Sequence, residues 1–344
     1  MKTSTLVVVA VVVVAVAAAG ALFLPNVLNP PRQLEEVTFI LDWIIYGKHV
    51  MYYPAIDQGI YEKYGLKVNI VRGYGSGDTI QKINAKQGEF GFADLGSLVI
   101  LRSQGAKVVM VGMVHHVMPH TIAYVKGKSI NTPKDLEGKT MSTPAGNAVW
   151  VLFPAFARAV GIDPAKVNFV PADVPVARAA LLSGQVDMTG MFWGEKGALD
   201  TEAAKLGIQL GYFRYSDYGL DLYSNGIIVH EDLLREKPDL VERFIKATFE
   251  GIWWSLKNPD QSLDIYMKYN PEQVKEVARL EWIYGGIDMY GDIPKMAKNP
   301  LQLGWMDPNK VKRTVDVISQ FYQLQRPVTP DELYTNRFVE RTGS

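Results

Sequence analysis

The sequence predicts an α/β protein of two similar lobes, and three observations carry that reading. From Val37 onward, short β-type runs alternate with amphipathic helical stretches, the βαβα order of a largely parallel sheet. A second run of the same kind begins at Lys139. Two strand entries also echo each other, Gly88-Glu89-Phe90-Gly91-Phe92 and Gly184-Gln185-Val186-Asp187-Met188. In each, a glycine closes a helix and an apolar strand follows at once.

The N-terminus stands apart. Lys2 precedes an uncharged apolar run from Leu6 to Leu24. As a helix this run would be roughly 28 Å long, close to the thickness of a bilayer core. A secretory signal has a shorter apolar stretch of about 7–15 residues. Cleavage after Ala17-Ala18-Ala19 therefore competes with retention as a single-span anchor, and either implies export. Residues 26–33, with two adjacent prolines, read as a linker.

In the first lobe, Val37–Leu41, Lys67–Val71, Phe90–Ala93, Val108–Val114 and Thr121–Val125 read as strands. Helices are expected over Tyr52–Tyr64, from the end of the Gly73–Asp78 loop through Lys86, and over Ser97–Ser103. The second lobe follows with strands Lys139–Ser142, Val167–Val170 and Val186–Thr189, and helices Asn147–Val160 and Val176–Ser183. Ser224–His230 is a further strand. Pro238–Asn258 is a long helix, with Pro238 in its first turn and Pro259 ending it. The expected division is 1–32 as export segment or anchor plus linker, 33–126 with 224–344 as one lobe and its helical tail, and 127–223 as the other. Two crossings between lobes leave a cleft where strand C-terminal ends and helix N-termini converge.

Composition narrows the chemistry. The 36 basic and 36 acidic residues balance, and without Lys2 and Arg32 the body sits near −2, which speaks against a nucleic-acid binder. The chain has no cysteine, so disulfides, thiolate metal sites, iron–sulfur clusters, cysteine nucleophiles and a lipidated N-terminal cysteine are all excluded.

Several places could face a ligand. The loop Gly73-Tyr74-Gly75-Ser76-Gly77-Asp78 joins a strand to a helix, and Asp94 follows about twenty residues on, as in a dinucleotide fingerprint. The spacing fails, since Asp78 stands at the third glycine's place and would repel a pyrophosphate. A ligand-facing loop with free backbone N–H groups and a tight structural turn remain open. Trp43, at the end of the first strand, can stack on a flat ligand with His49 hydrogen-bonding, or can cap the core edge while His49 is solvated. His115 and His116 point to opposite faces of a strand and cannot chelate one ion together, so no metal site is expected; one histidine near the cleft is, and His116 is the candidate. Asn147 opens a second-lobe helix, Trp193 and Glu195 follow a second-lobe strand, and Tyr223 precedes the return strand. Glu195 reads equally as a ligand contact or a surface ion pair. No Ser/His/Asp or paired-carboxylate arrangement emerges, so catalysis has no positive support.

The order of segments resembles a known family. Leu41-Asp42-Trp43, His49, Ala55, Gly59-Ile60-Tyr61 and Gly65-Leu66-Lys67-Val68 come first. Gly88-Glu89-Phe90-Gly91-Phe92-Ala93-Asp94, Thr132-Pro133-Lys134-Asp135-Leu136-Glu137-Gly138-Lys139 and Leu182-Ser183-Gly184-Gln185-Val186-Asp187 follow. Over residues 36–259 these motifs are similar to solute-binding proteins of ABC importers, in the thiamine-pyrimidine-precursor and alkanesulfonate branch. The resemblance implies a two-lobed, type II-like periplasmic-binding fold that closes on its ligand and docks, as a monomer outside the cytoplasm, on a membrane permease. It implies that Trp43 and His49 face the ligand, with Ser76, Asp94, Asn147 and Glu195 near it, and that no cofactor is needed. The Leu-Asp-Trp motif favours a flat nitrogen heterocycle, a thiamine pyrimidine precursor first and a flavin-like ring second, over an alkanesulfonate. The family's enzymatic relative, the fungal-type pyrimidine synthase, carries a cysteine-rich iron-binding motif, which a chain without cysteine lacks.

Overall fold

The computed structural model describes residues 33–343 apart from Gly146; the export segment expected at 1–32 lies outside the described residues. The body contains two five-stranded sheets. In chain order the first lobe supplies β1 (Glu35–Ile40), β2 (Leu66–Val71), α1 (Ser76–Asn84), β3 (Phe90–Asp94), α2 (Leu95–Ser103) and β4 (Val108–Met113). The second supplies β5 (His120–Val125), β6 (Thr140–Thr143), α3 (Ala148–Val160), β7 (Asn168–Pro171), α4 (Val174–Ser183), β8 (Met188–Phe192), α5 (Lys196–Lys205) and β9 (Leu210–Arg214). The chain then returns through β10 (Asn225–His230) to α6 (Pro238–Lys257), α7 (Lys275–Trp282) and α8 (Pro308–Phe321).

The two sheets share one plan. Their strand orders are β2-β1-β3-β10-β4 and β7-β6-β8-β5-β9. In each, the fourth strand in the order comes from the far side of a crossing and runs antiparallel to its neighbours, whereas β1–β3, β6–β7 and β6–β8 pair in parallel. The echoed segments open the equivalent central strands β3 and β8. Each carries a carboxylate that accepts an N–H from the neighbouring strand: Thr38 to Glu89 at 2.7 Å and Thr140 to Asp187 at 2.9 Å.

Two expectations are corrected. β5 belongs to the second sheet, where it pairs with β8 and β9, so the first crossing lies between β4 and His120 rather than at 126. The apolar pattern marks a strand there but cannot say which sheet takes it. The single helix expected over Tyr52–Tyr64 is instead a 3₁₀ turn (Gly47–Tyr52) and two short helices broken at Gly59, whose φ of +65° suits glycine.

Packing fixes the first sheet. On α6, Phe244 stacks on Phe90 with centroids 3.6 Å apart, and Phe249 lies where any side chain at Gly112 would collide. β4, the edge strand, is covered by the C-terminal segment: Met110 N–H donates to Leu333 O and Thr335 N–H to Met110 O. In the second lobe, Leu181, Met191, Leu199 and Ala203 bury a smaller core between sheet and helices.

Candidate ligand-binding cleft

The first-lobe strand ends carry a buried polar cluster. Asp42, just past β1, accepts from Lys48 Nζ (2.5 Å) and Asn225 Nδ2 (2.8 Å) on one oxygen and from His49 Nε2 (3.0 Å) on the other. Tyr46 N–H reaches His49 Nδ1 at 3.4 Å, which places the ring proton on Nε2. Burial opposes the Asp42 charge, but Lys48 and His49 together outweigh it and hold the carboxyl far below the usual carboxylate range. Burial also pushes His49 down to about 4, against the pull of Asp42. His49 is fully enclosed and both its nitrogens are engaged, so in this conformation it offers no group to a ligand.

Trp43 takes the opposite position. It is 48% exposed and leads out of the buried cluster. Its carbonyl accepts from Gly73 N–H and that of Asp42 from Gly75 N–H, which ties the glycine loop to the end of β1. A side chain at Gly73 would meet Leu41 O at 2.0 Å, and Gly75 adopts φ +119°, so both glycines are required by the turn itself. The N–H groups of Gly73 and Gly75 are thus spent inside the protein, and Gly77, with open space around it, starts the α1 side. Tyr74 is 63% exposed, with the Arg72 guanidinium 4.2 Å and the Lys82 ammonium 4.9 Å from its ring. Ser76 Oγ accepts from Asp94 N–H. Asp94 caps α2 through Ser97 N–H at 2.8 Å and accepts from Ser224 Oγ on its other oxygen. Burial pushes its carboxyl up.

A small cavity of about 20 Å³ joins the two lobes here. Asp94 and Ser97 reach it from the first lobe, His120, Ala148 and Leu152 from the second, with Tyr223 and Tyr322 beside them. It has room for about one water and not for a heterocycle. Of the expected residues, Asp94 and Tyr223 line it. Tyr223 is buried, and its hydroxyl accepts from Asp307 N–H. On the other side of Tyr223, which also lines it, a larger hollow of about 470 Å³ opens among tail residues such as Met296, Trp305, Asp307 and Arg341. Asn147 spends its side chain capping α3 through Trp150 N–H.

The remaining expected residues lie elsewhere. His116 is buried away from this cavity, with Nε2 on Leu303 O at 2.7 Å. The histidine on the cavity wall is His120, the first residue of β5, which sequence spacing could not single out among the three. Trp193 is held between the second lobe and the tail: its Nε1–H donates to Asp288, Tyr284 meets its edge, and the Arg214 guanidinium lies 4.6 Å from its ring. The exposed aromatic is its neighbour Phe192, 37% exposed and opposite His120 in the sheet register. Glu195 pairs with Arg178 at 2.8 Å, the ion-pair alternative. The backbones of Gly194 and Gly285 pack closely: a Cβ on Gly194 would lie 3.0 Å from Gly285 Cα, and one on Gly285 would lie 2.8 Å from Lys48 Cβ. Among the described residues no group of histidine, aspartate and glutamate could hold a metal, and no helix is long and apolar enough to cross a membrane.

A model of the family described as "NMT1/THI5 like" matches residues 47–262, well over half the chain. The chain belongs to this family. The NMT1/THI5-like chain is 25% identical over 250 residues to the formylaminopyrimidine-binding protein of Halalkalibacterium halodurans, covering 72% of this chain and 74% of that one. It is 24% identical over 337 residues to the riboflavin-binding protein RibY of Chloroflexus aurantiacus, covering 90% and 88%. The periplasmic aliphatic sulphonate binding protein SsuA of Escherichia coli superposes with a TM-score of 0.69 at 14% identity, over 90% of this chain and 92% of that one. The fold is therefore that of periplasmic binding proteins, as the family resemblance implied. The relatives are mostly binding proteins by name, with a pyrimidine phosphate synthase among them.

Proposed function

We propose that this protein is the extracytoplasmic, non-catalytic solute-binding receptor of an ABC importer. In this reading the lobes part to admit a small flat nitrogen heterocycle, close on it, and present the loaded form to a membrane permease, with residues 1–32 as export segment or tether. The observation that carries the ligand class is the cleft's chemistry. The half-exposed ring of Phe192 packs against His120 on a cavity wall whose acidic member is Asp94, and the half-exposed Trp43 stands beside the Gly75 turn that leads through Ser76 to Asp94. A carboxylate favours ring N–H and amino donors and repels an anion. A pyrimidine precursor of thiamine fits this first, and a flavin-like ring second.

A small-anion reading has its own support: α1 opens beside the cleft at Ser76, and helix N-termini favour anions. Asp78 in that first turn and Asp94 beside it oppose such an occupant. Thermal denaturation of the purified chain with aminopyrimidines, riboflavin and taurine distinguishes the two. A cognate ligand at one hundred times its Kd should add about 2.7 kcal/mol of stability. Response to taurine alone overturns the heterocycle reading, and response to none overturns the receptor reading. Turnover of a bound heterocycle would make the protein an enzyme instead.

A further inference from the structure

We propose that His120 is the second-lobe residue that reads the hydrogen-bonding edge of the solute, facing Asp94 of the first lobe across the cavity; this deepens, and rests on, the heterocycle reading above. His120 is 4% exposed, and its Nδ1 is buried with no hydrogen-bond partner. Its ring sits on the wall of the cavity that joins the lobes, beside Phe192 (centroids 5.1 Å) and Tyr215 (6.2 Å). Neither neighbour satisfies it, since the Tyr215 hydroxyl donates to Val149 O. The other polar side chains around the cavity are largely spent inside the protein. Ser97 Oγ is on Asp94, the Tyr223 hydroxyl is on Asp307 N–H, and Thr314 Oγ1 bridges Tyr223 N–H and Lys310 O. The rest of the lining is Tyr322, which brings a second hydroxyl beside Asp94, and apolar groups from Met118, Leu152, Leu222 and Ile318.

A buried polar group without a partner costs stability, and one that stands on a cavity wall is placed where a ligand can complete it. Burial holds His120 near 3, so the ring is neutral and offers one N–H and one lone pair. Asp94, as a carboxylate, only accepts; Oδ1 already takes Ser97 N–H and Oγ–H, so the acceptor left for a solute is the second lone pair of Oδ2, which holds only Ser224 Oγ. A solute spanning the two presents a donor toward Asp94 and a donor or acceptor toward His120. The amino and ring-nitrogen edge of an aminopyrimidine or a pteridine-like ring has that pattern, and an alkanesulfonate without an amino group, which only accepts, lacks the donor.

The test compares wild type, His120→Leu and His120→Gln in the full chain, titrated with 4-amino-2-methylpyrimidine and riboflavin, alongside ligand-free melting. His120→Leu is expected to lose at least tenfold in affinity for the heterocycle that wild type binds, while its ligand-free Tm stays equal or rises. His120→Gln, whose amide keeps a donor and an acceptor, is expected to recover part of the affinity. Wild-type affinity in His120→Leu overturns the role of His120 and leaves the heterocycle reading standing. A His120→Leu chain that melts several degrees lower, or fails to fold, makes the residue structural and overturns the proposal as well. Binding of neither probe by wild type removes the reading on which it rests.

Discussion

The two lobes share a strand order but treat the polar groups that flank the cleft differently. In the first lobe Asp42, Lys48, His49 and Asn225 satisfy one another in a sealed cluster behind Trp43. In the second, His120 at the start of β5 is buried like His49 but is left without a partner for Nδ1. A buried polar network that closes on itself rigidifies its surroundings, whereas an open group stores a cost that something else relieves. The first lobe thus supplies a fixed platform that aims Trp43 and the glycine loop, with His115 behind it buried and unpartnered at both nitrogens, and at the cavity the second lobe supplies an unfinished hydrogen bond. Equal topology does not give equal roles.

Breaking the closed cluster is the harshest test of that contrast. Asp42→Ala leaves Lys48 and His49 buried without their acceptor, and truncating one partner of a buried ion pair costs about 3–5 kcal/mol. Urea denaturation at pH 7.5 should show a loss of that size. A loss below about 1 kcal/mol would mean that water enters the cluster and that the first lobe is no more sealed than the second.

Much of this division was legible in sequence. Every strand but β9, and the helices α1 to α4 and α6, follow from periodicity and glycine punctuation, and the Gly88 and Gly184 segments do open equivalent strands. The site was less legible, because it depends on pairings remote in sequence. Asn225 reaches Asp42 across 183 positions, and the sheet that claims β5 decides that His120, not His116, stands on the cavity wall. Alternation along a strand separates His115 from His116 but says nothing of which face meets the other lobe. Trp193 and Phe192 differ in the same way: both read as aromatics at a strand end, and the tail covers one of them.

A pH series sharpens the comparison at intermediate size. Burial holds His49 and His116 near 4 and His120 near 3, below the ordinary value of 6.5. All three are neutral in both folded and unfolded chains well above pH 6.5. Between 6.5 and about 4 the unfolded chain takes up protons that the folded chain refuses, so stability falls as pH falls through that window. A tenfold difference in proton affinity between the two states is worth about 1.4 kcal/mol, so the urea midpoint should drop clearly between pH 7.5 and 5. Removing either histidine flattens the slope. His49→Leu should do so while lowering stability at pH 7.5, because Asp42 loses a donor; His120→Leu should do so without that loss. Equal behaviour of the two variants at pH 7.5 would erase the difference between the lobes.

The smallest expected effect concerns the platform's exposed edge. Trp43 is about half exposed, so Trp43→Ala should change the ligand-free Tm little, surface substitutions lying usually within about 0.5 kcal/mol. If its ring stacks on the solute, the variant loses the aromatic contribution of about 0.5–1.5 kcal/mol beyond area burial, a weakening of at least severalfold. Titration of wild type and Trp43→Ala with the same heterocycle measures it. Binding should weaken while the pH dependence of stability, set by buried histidines, stays as in wild type. Unchanged affinity with a lowered Tm would instead make Trp43 a cap on the core edge, and the first lobe would then meet the solute through Asp94 alone.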